Sequence, residues 1–264
     1  MLGSPPIIST NGLTKYYGKR NEVKAVQDLT FDVFQGETFG LLGPNGSGKT
    51  TTIRMLNGII RPTKGTATVN GFNIIDQAED VKRSTGLLAE SPGLYEKLSP
   101  KEYLQFVGSL YDVPKRALED RVEKLLTLFH LQDRKDDLME GFSKGMRQKV
   151  LIGAALVHDP PIVFLDEPTS ALDPRAALMV KDLIKDLSSK ANKTIFISSH
   201  ILSLIEEVCD RVAIIDKGRL VAIGSVDEIA EMTGKETLEA AFISLTGGED
   251  RSELLSWRGD PADA

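Results

Sequence analysis

The octapeptide Gly43-Pro44-Asn45-Gly46-Ser47-Gly48-Lys49-Thr50 fits the pattern G-x-x-x-x-G-K-[ST]. Its residue types suit one task, the holding of a chain of phosphates. Glycines let successive backbone N–H groups curl towards a single anion. A helix starting behind them adds roughly half a positive charge. Lys49 is then placed to neutralise the β- and γ-phosphates, and the Thr50 hydroxyl to bind Mg²⁺. Asp166-Glu167 ends the apolar run Ile162 to Leu165. An Asp at the carboxyl end of a buried strand can hold Mg²⁺, and a Glu beside metal-bound phosphate can act as a general base. A solvated turn is the ordinary reading of Asp-Glu after a strand, but a phosphate loop upstream needs a metal partner. His200 follows the next strand, at Ser198-Ser199-His200, with a donor to offer near the γ-phosphate. A single His taken alone is more often a structural residue, and it is the convergence of adjacent strand ends in a parallel sheet that brings this one near the γ-phosphate.

Phe142-Ser143-Lys144-Gly145-Met146-Arg147-Gln148 is a second anion site by its chemistry. Ser143 reads as a helix N-cap, and Gly145 leaves backbone N–H groups of the first turn exposed. One loop suffices for one triphosphate, so this site makes most sense if it meets the nucleotide of another copy.

The elements that must position these residues are legible in outline. Residues 7 to 40 read as strands, with Val26, Leu29, Phe31 and Val33 near alternation and a turn at Gln35-Gly36-Glu37. Thr38 to Leu42 reads as the buried strand before the phosphate loop, and Thr51 to Asn57 as the helix it opens. Asn70-Gly71 between Thr66–Val69 and Phe72–Ile74 predicts a hairpin. Val81 to Leu88 leads into a strand ending near Ala89-Glu90. Ser91-Pro92-Gly93 is a break. Ser99, Pro100 and Glu102 form a capping box for a helix carrying Leu104, Val107, Leu110 and Tyr111, and a second helix after Pro114 sets Leu118, Val122, Leu125, Leu126 and Phe129 on one face. Residues 92–155 therefore read as an all-helical insert in an α/β chain. Asp173-Pro174 starts a further helix, and Thr194 to Ser198 is a β-branched strand. Val212–Asp216 and Leu220–Ile223 form a last hairpin, and Ser225 to Glu228 caps a short helix. Residues 247–264 are polar and expected to be mobile.

The chain has 264 residues, 41% hydrophobic and 27% charged, ordinary for a globular protein with a substantial core. A net charge of −6 argues against a nucleic-acid surface. Cys209 alone makes neither an intrachain disulfide nor a zinc site, which points to a reducing compartment. Met1 to Thr10 lacks the basic start and apolar core of a signal peptide. No apolar run approaches the ~18 residues of a membrane span, so work at a membrane calls for another chain to do the spanning.

Taken together, Gly43 to Thr50, Phe142 to Gln148, Ile162 to Glu167, Ser170-Ala171-Leu172-Asp173 and His200 resemble the ATP-binding cassette family in order and spacing, over about residues 7 to 245. In detail the chain looks like the ATPase subunit of a transporter of the ABC-2 exporter type. The resemblance implies an α/β fold: a P-loop NTPase core with a mostly parallel central sheet, an N-terminal antiparallel β-subdomain and an inserted α-helical subdomain. It implies one ATPase domain over 1–246. Position by position, it implies that Tyr17, otherwise an aromatic that simply packs, stacks on adenine. Gly43, Pro44, Asn45, Gly46, Ser47, Gly48, Lys49, Thr50 and Thr51 bind phosphates. Thr50 and Asp166 hold Mg²⁺, Glu167 is the catalytic carboxylate, and His200 contacts the γ-phosphate. Ser143 and Gly145 close on the partner's ATP, and Asp173 links the two sites.

The chain departs from the family pattern in two places. The usual Leu-Ser-Gly-Gly-Gln signature has Lys144 for its first Gly and Met146 at the Gln position. Glu90 stands where Gln is usual. A carboxylate is a stronger Mg²⁺ ligand than an amide but adds negative charge near the phosphates.

The partners implied are ATP, a second copy or a homologous ATPase subunit in a head-to-tail pair, and an integral membrane permease subunit, with no nucleic acid. The implied location is the cytoplasmic face of the cell membrane. The segment around Glu90 and residues 91–98, with Leu94 and Tyr95, is a candidate dock for the permease, unless both side chains pack beneath the insert. A rival is a soluble ABC-type ATPase of DNA maintenance or cofactor assembly. The DNA-acting kind usually carries a long coiled-coil insert, sometimes with a paired-Cys hook, and this chain has neither. A small-molecule kinase leaves Ser143 to Met146 unexplained.

Overall fold

The computed structural model describes residues 5–90, 93–170 and 172–247. Met1 to Ser4, Ser91-Pro92, Ala171 and the tail from 248 onwards lie outside them. In chain order the elements are β1 Ile8–Tyr17, β2 Val23–Leu29, β3 Asp32–Val33, β4 Thr38–Leu42, α1 Lys49–Leu56, β5 Lys64–Val69, β6 Phe72–Asn73, α2 Ala78–Ser84 and β7 Thr85–Leu88. Then come α3 Pro100–Leu110, α4 Lys115–Leu128, α5 Lys144–Leu156, β8 Ile162–Asp166, α6 Pro174–Ser189, β9 Thr194–Ser199 and α7 Leu202–Val208. The described chain closes with β10 Arg211–Asp216, β11 Arg219–Gly224, α8 Val226–Thr233 and α9 Leu238–Thr246.

Two sheets result. The larger has the order β11-β10-β4-β9-β8-β7. β10, β4, β9, β8 and β7 run parallel, and β11 returns antiparallel to β10. The smaller has the order β2-β1-β5-β6, with β3 also on β1, and is antiparallel throughout. The central parallel strands are buried on both faces, which is why they read as unbroken apolar runs. Alternation along them divides the core. Leu41, Phe164 and Phe196 face the antiparallel sheet and α1, whereas Leu42, Val163, Leu165 and Ile197 face the remaining helices. Beneath the phosphate loop, Phe31 stacks on Phe39 at 5.4 Å, Phe39 meets Phe196 at 5.5 Å, and Phe196 meets Phe164 at 5.3 Å. These aromatic contacts fix the relative height of β4, β9 and β8.

Between β7 and β8 the regular elements among the described residues are all helices, as the capping signals require. Ser99 and Glu102 close a complete capping box on α3. Leu118, Val122 and Leu126 of α4 are buried, with Phe129 at its C-cap. Asn70 and Gly71 both take positive φ, 51° and 80°, the geometry of the tight hairpin expected there. Three helices were not expected. α2 occupies the lead-in to β7, with a Gln77 N-cap whose side chain does not cap the helix, accepting instead from the Asn73 N–H, and one buried residue, Val81. α7 begins at Ile201 without a side-chain cap, and α9 is short. The helix after the phosphate loop starts at Lys49, two residues before Thr51. Among the described residues no helix is long and apolar enough to cross a membrane.

Candidate active site

The strand order places the chemistry. β4, β9, β8 and β7 are consecutive neighbours, so their carboxyl ends form one row, where open parallel sheets receive ligands. The phosphate loop follows β4, Ser199 and His200 end β9, Asp166 and Glu167 end β8, and Glu90 lies just beyond β7.

The loop is shaped by glycines that admit no side chain. A Cβ on Gly43 would lie 2.4 Å from the Ile215 carbonyl oxygen. One on Gly48, with φ at 108°, would lie 2.4 Å from that of Ala25. Behind the loop, Lys49 is the first residue of α1 and is 7% exposed. Its Nζ donates to the Gly43 carbonyl at 2.8 Å and to that of Pro44 at 3.3 Å, and stands 3.8 Å from Glu167 Oε1. Burial lowers its pKa, against the pull of Glu167, Asp166 and Glu90. The Thr50 hydroxyl donates to Glu90 Oε2 at 3.2 Å. Asp166 is buried, and its pKa is raised, first by desolvation and further by Glu90 and Glu167, while the bond from Ser198 opposes the rise.

Glu167 adopts φ of 53°, left-handed for a non-glycine residue. Its N–H donates to the Ser198 carbonyl at 3.0 Å. Its Oε1 lies 2.9 Å from His200 Nδ1, and its Oε2 lies 3.4 Å from Ser199 Oγ. The His200 side chain is half exposed, with its ring turned to the cleft edge where Glu167 sits. The cleft over the loop has a volume of about 270 Å³. Lys49, Thr50, Thr51, Glu90 and Glu167 line it together with Ala25, Asn45, Gly46 and Gly48.

Three carboxylates, Glu90, Asp166 and Glu167, face a single ammonium here. The Thr50 hydroxyl and the Asp166 and Glu90 oxygens are hard donors, few in number, beside a phosphate cradle. That donor set fits Mg²⁺, which takes one or two carboxylates and fills its remaining positions with phosphate oxygens and water.

Other expected residues stand apart from this cleft. Tyr17 ends β1, paired with Val23 two residues before Ala25, and is 39% exposed with Lys15 Nζ 5.2 Å from its ring centre. It does not line the cleft. Ser143 caps α5, accepting from the Met146 N–H at 3.3 Å, and neither it nor Gly145 lines the cleft. Asp173 caps α6, accepting from the Ala176 N–H at 2.9 Å, a bond that lowers its pKa. It borders a separate pocket with Lys149 and Arg175. The chain thus gathers the phosphate loop, Asp166, Glu167, His200 and Glu90, and leaves Ser143, Gly145 and Asp173 outside.

Sequence reading passed over two groups of this site. Ser198 and Ser199 bond to Asp166 and Glu167 from the neighbouring strand. Gln148 Nε2 donates to the Pro168 carbonyl at 3.2 Å, tying α5 to the segment just past Glu167. Two hydroxyls in succession at the end of an otherwise apolar strand were the available signal for the serines.

Comparison with known proteins agrees with this geometry. A family model described as ABC transporter matches residues 26–170. The chain is 38% identical over 239 residues to the ABC transporter ATP-binding protein NatA of Bacillus subtilis, covering 90% of this chain and 97% of that protein. It is 42% identical over 214 residues to the bacitracin transport ATP-binding protein BcrA of Bacillus licheniformis, covering 81% and 68% respectively. A solved structure of the ATP-binding subunit of an ABC transporter has a TM-score of 0.83 at 33% identity, covering 90% of this chain and 99% of that one.

Proposed function

Because this chain belongs to the ABC transporter family, as an ATP-binding subunit that hydrolyses ATP to ADP and phosphate, we propose the following division of work among its residues. The amides of residues 43–51 and the Lys49 ammonium bind the phosphates, and the Tyr17 ring stacks on adenine. Thr50 and Asp166, with Glu90 beside them, hold Mg²⁺, which when bound offsets negative charge on the phosphate oxygens. Glu167 orients and deprotonates the attacking water. His200, held against Glu167 Oε1, keeps that carboxylate oriented and offers its other ring nitrogen to the γ-phosphate. The convergence of Lys49, Thr50, Glu90 and Glu167 on one cleft, with Asp166 behind them, carries this assignment.

The remaining residues complete the site from another copy. Ser143 and Gly145 of one chain cap the ATP of a second chain in a head-to-tail pair, and Asp173 lies between the two sites. Residues 1–246 act as one ATPase domain, with the helical subdomain as an insert. The membrane subunit docks on the insert next to Glu90. There Tyr95, Lys97, Leu98 and Phe106 line an apolar groove of about 570 Å³, with Tyr95 61% exposed and Leu110 63% exposed on α3. Leu94 packs partly buried against the core, so Tyr95 is the docking residue of the pair. The protein then works at the cytoplasmic face of the cell membrane and drives solute transport in the export direction, which the resemblance to the ABC-2 exporter type implies.

The test is Glu167→Gln. The variant is expected to bind ATP with near-native affinity while turnover falls by about 100-fold or more, since only the base is removed. ATP should then hold the protein as a dimer in size-exclusion chromatography. Native-like turnover would overturn the assignment of the base.

A further inference from the structure

Two buried hydroxyls beside the cleft have no part in the division above. Ser198 and Ser199 end β9, and both are fully buried. A buried hydroxyl is costly unless it is bonded, and packing alone would be served equally by Ala or Val. Both hydroxyls are aimed at the carboxylates of the adjacent strand. Asp166 and Ser198 are register partners, and Ser198 Oγ donates to Asp166 Oδ1. Ser199 Oγ accepts from the Ile201 N–H at 2.9 Å, which leaves its own hydrogen for Glu167 Oε2 at 3.4 Å. Each carboxylate is therefore held by one oxygen from β9. The other oxygen of Glu167, Oε1, faces Lys49 and His200. The other oxygen of Asp166 takes no bond from β9.

We propose that Ser198 and Ser199 are positioning residues with separate duties. Ser198 orients Asp166 for the metal, and Ser199 orients Glu167 for the attacking water. Glu167 stands one residue past the end of β8 with a left-handed backbone, so its side chain leaves the strand's regular alternation and is held instead by bonds from β9 and His200. The inference rests on the roles given above to Asp166 and Glu167, so their variants are measured alongside.

The experiment compares Ser198→Ala and Ser199→Ala in the full chain, with Ser198→Thr and Ser199→Thr as variants that keep the hydroxyl. Activity is titrated against Mg²⁺ at saturating ATP, and kcat, KM and thermal midpoint are recorded. Ser198→Ala should raise the Mg²⁺ needed for half activity by about tenfold, the usual scale for losing a partner of a metal ligand. Ser199→Ala should lower kcat by about tenfold with KM within about twofold. At least one Thr variant should recover the lost quantity. Unchanged Mg²⁺ dependence and kcat in both Ala variants would overturn the proposal. So would losses spread equally over kcat and KM that follow a lowered thermal midpoint without recovery by Thr. Asp166→Asn and Glu167→Gln separate the two levels. If they act as assigned while the serines do not, only the positioning role fails. If they leave Mg²⁺ dependence and turnover untouched, both readings fall.

Discussion

The carboxyl edge of the large sheet and the helical insert each carry an anion site, and they differ in what surrounds it. At the sheet edge, β4, β8 and β7 deliver a cation, a hydroxyl and three carboxylates, with Glu90 and Glu167 lining the cleft and Asp166 behind them. At the N-terminus of α5, Ser143 is spent on its own helix, bonding the Met146 N–H, and the nearby Glu96 carboxylate is paired with Arg147. The first arrangement gathers phosphate-binding and metal-binding donors within one chain. The second offers the amides and hydroxyl of a helix start, which suit a phosphate oxygen. On the division of work proposed above, the chain supplies one half-site itself and a cap for the half-site of another copy.

Breaking the sheet-edge half should have the largest effect. Lys49→Ala removes the buried ammonium and its charge-assisted bonds to phosphate, each about 1.5–3 kcal/mol. Nucleotide affinity, measured by calorimetry, should fall by about 100-fold or more. Near-native affinity would remove the loop from the binding site. Ser143→Arg, in the insert, should produce the opposite pattern. ATP affinity of the single chain stays within about twofold, while ATP-dependent dimerisation and turnover are lost, because the altered residue lies outside the chain's own cleft. Equal loss of affinity in the two variants would erase the distinction between the regions.

Glu90 sits at the border of the two regions, on Thr50 and just ahead of the insert. Glu90→Gln should shift the Mg²⁺ dependence of activity several-fold towards higher concentration, with a smaller change in ATP affinity. Superimposable curves would take Glu90 out of the metal's surroundings.

The smallest effect is expected where the insert is joined to the core. His158 follows α5, stacks on Tyr111 at the end of α3 with centroids 3.7 Å apart, and bonds the Thr85 carbonyl through Nε2 at 3.0 Å. Its pKa is depressed below the ordinary 6.5, chiefly by burial and in part by Lys193 and Arg121. The folded state therefore favours the neutral ring, and the unfolded chain takes up the proton first as pH falls. Stability is full above about pH 6.5 and declines as pH drops towards the depressed value. His158→Gln, which keeps a donor for Thr85, should flatten the fall in thermal midpoint between about pH 7 and 5.5. Equal slopes would show that this ring stays out of the acid response of the junction.

Local signals were the readable ones. Both capping boxes, at Ser99–Glu102 and Ser225–Glu228, and the Asn70-Gly71 hairpin lie where short-range chemistry puts them. The phosphate loop, Asp166, Glu167 and Glu90 were legible because motif spacing and strand ends are written in the chain itself. α2 and α7 were not, since neither has a side-chain cap and both are held by burial against the sheet. Two hydroxyls ending an apolar strand mark Ser198 and Ser199 as unusual, but their partners depend on the register between β8 and β9, residues 32 positions apart, which the local pattern does not name. Tyr95 and Leu94 diverge for a similar reason, as only tertiary packing decides which of the two adjacent side chains turns inward.

The most direct test of the divided site mixes two inactive chains, Lys49→Ala and Ser143→Arg, with subunit exchange confirmed. In a mixed dimer one site carries both defects and the other carries none. With random exchange about half the dimers are mixed, so about a quarter of native sites are restored. Occluded ATP and turnover are both read, because occlusion reports an intact site even if hydrolysis requires two. The account predicts recovery of occluded ATP to about a quarter of the native level. No recovery in either readout would mean that Ser143 serves its own chain's ATP, and would contradict the composite site.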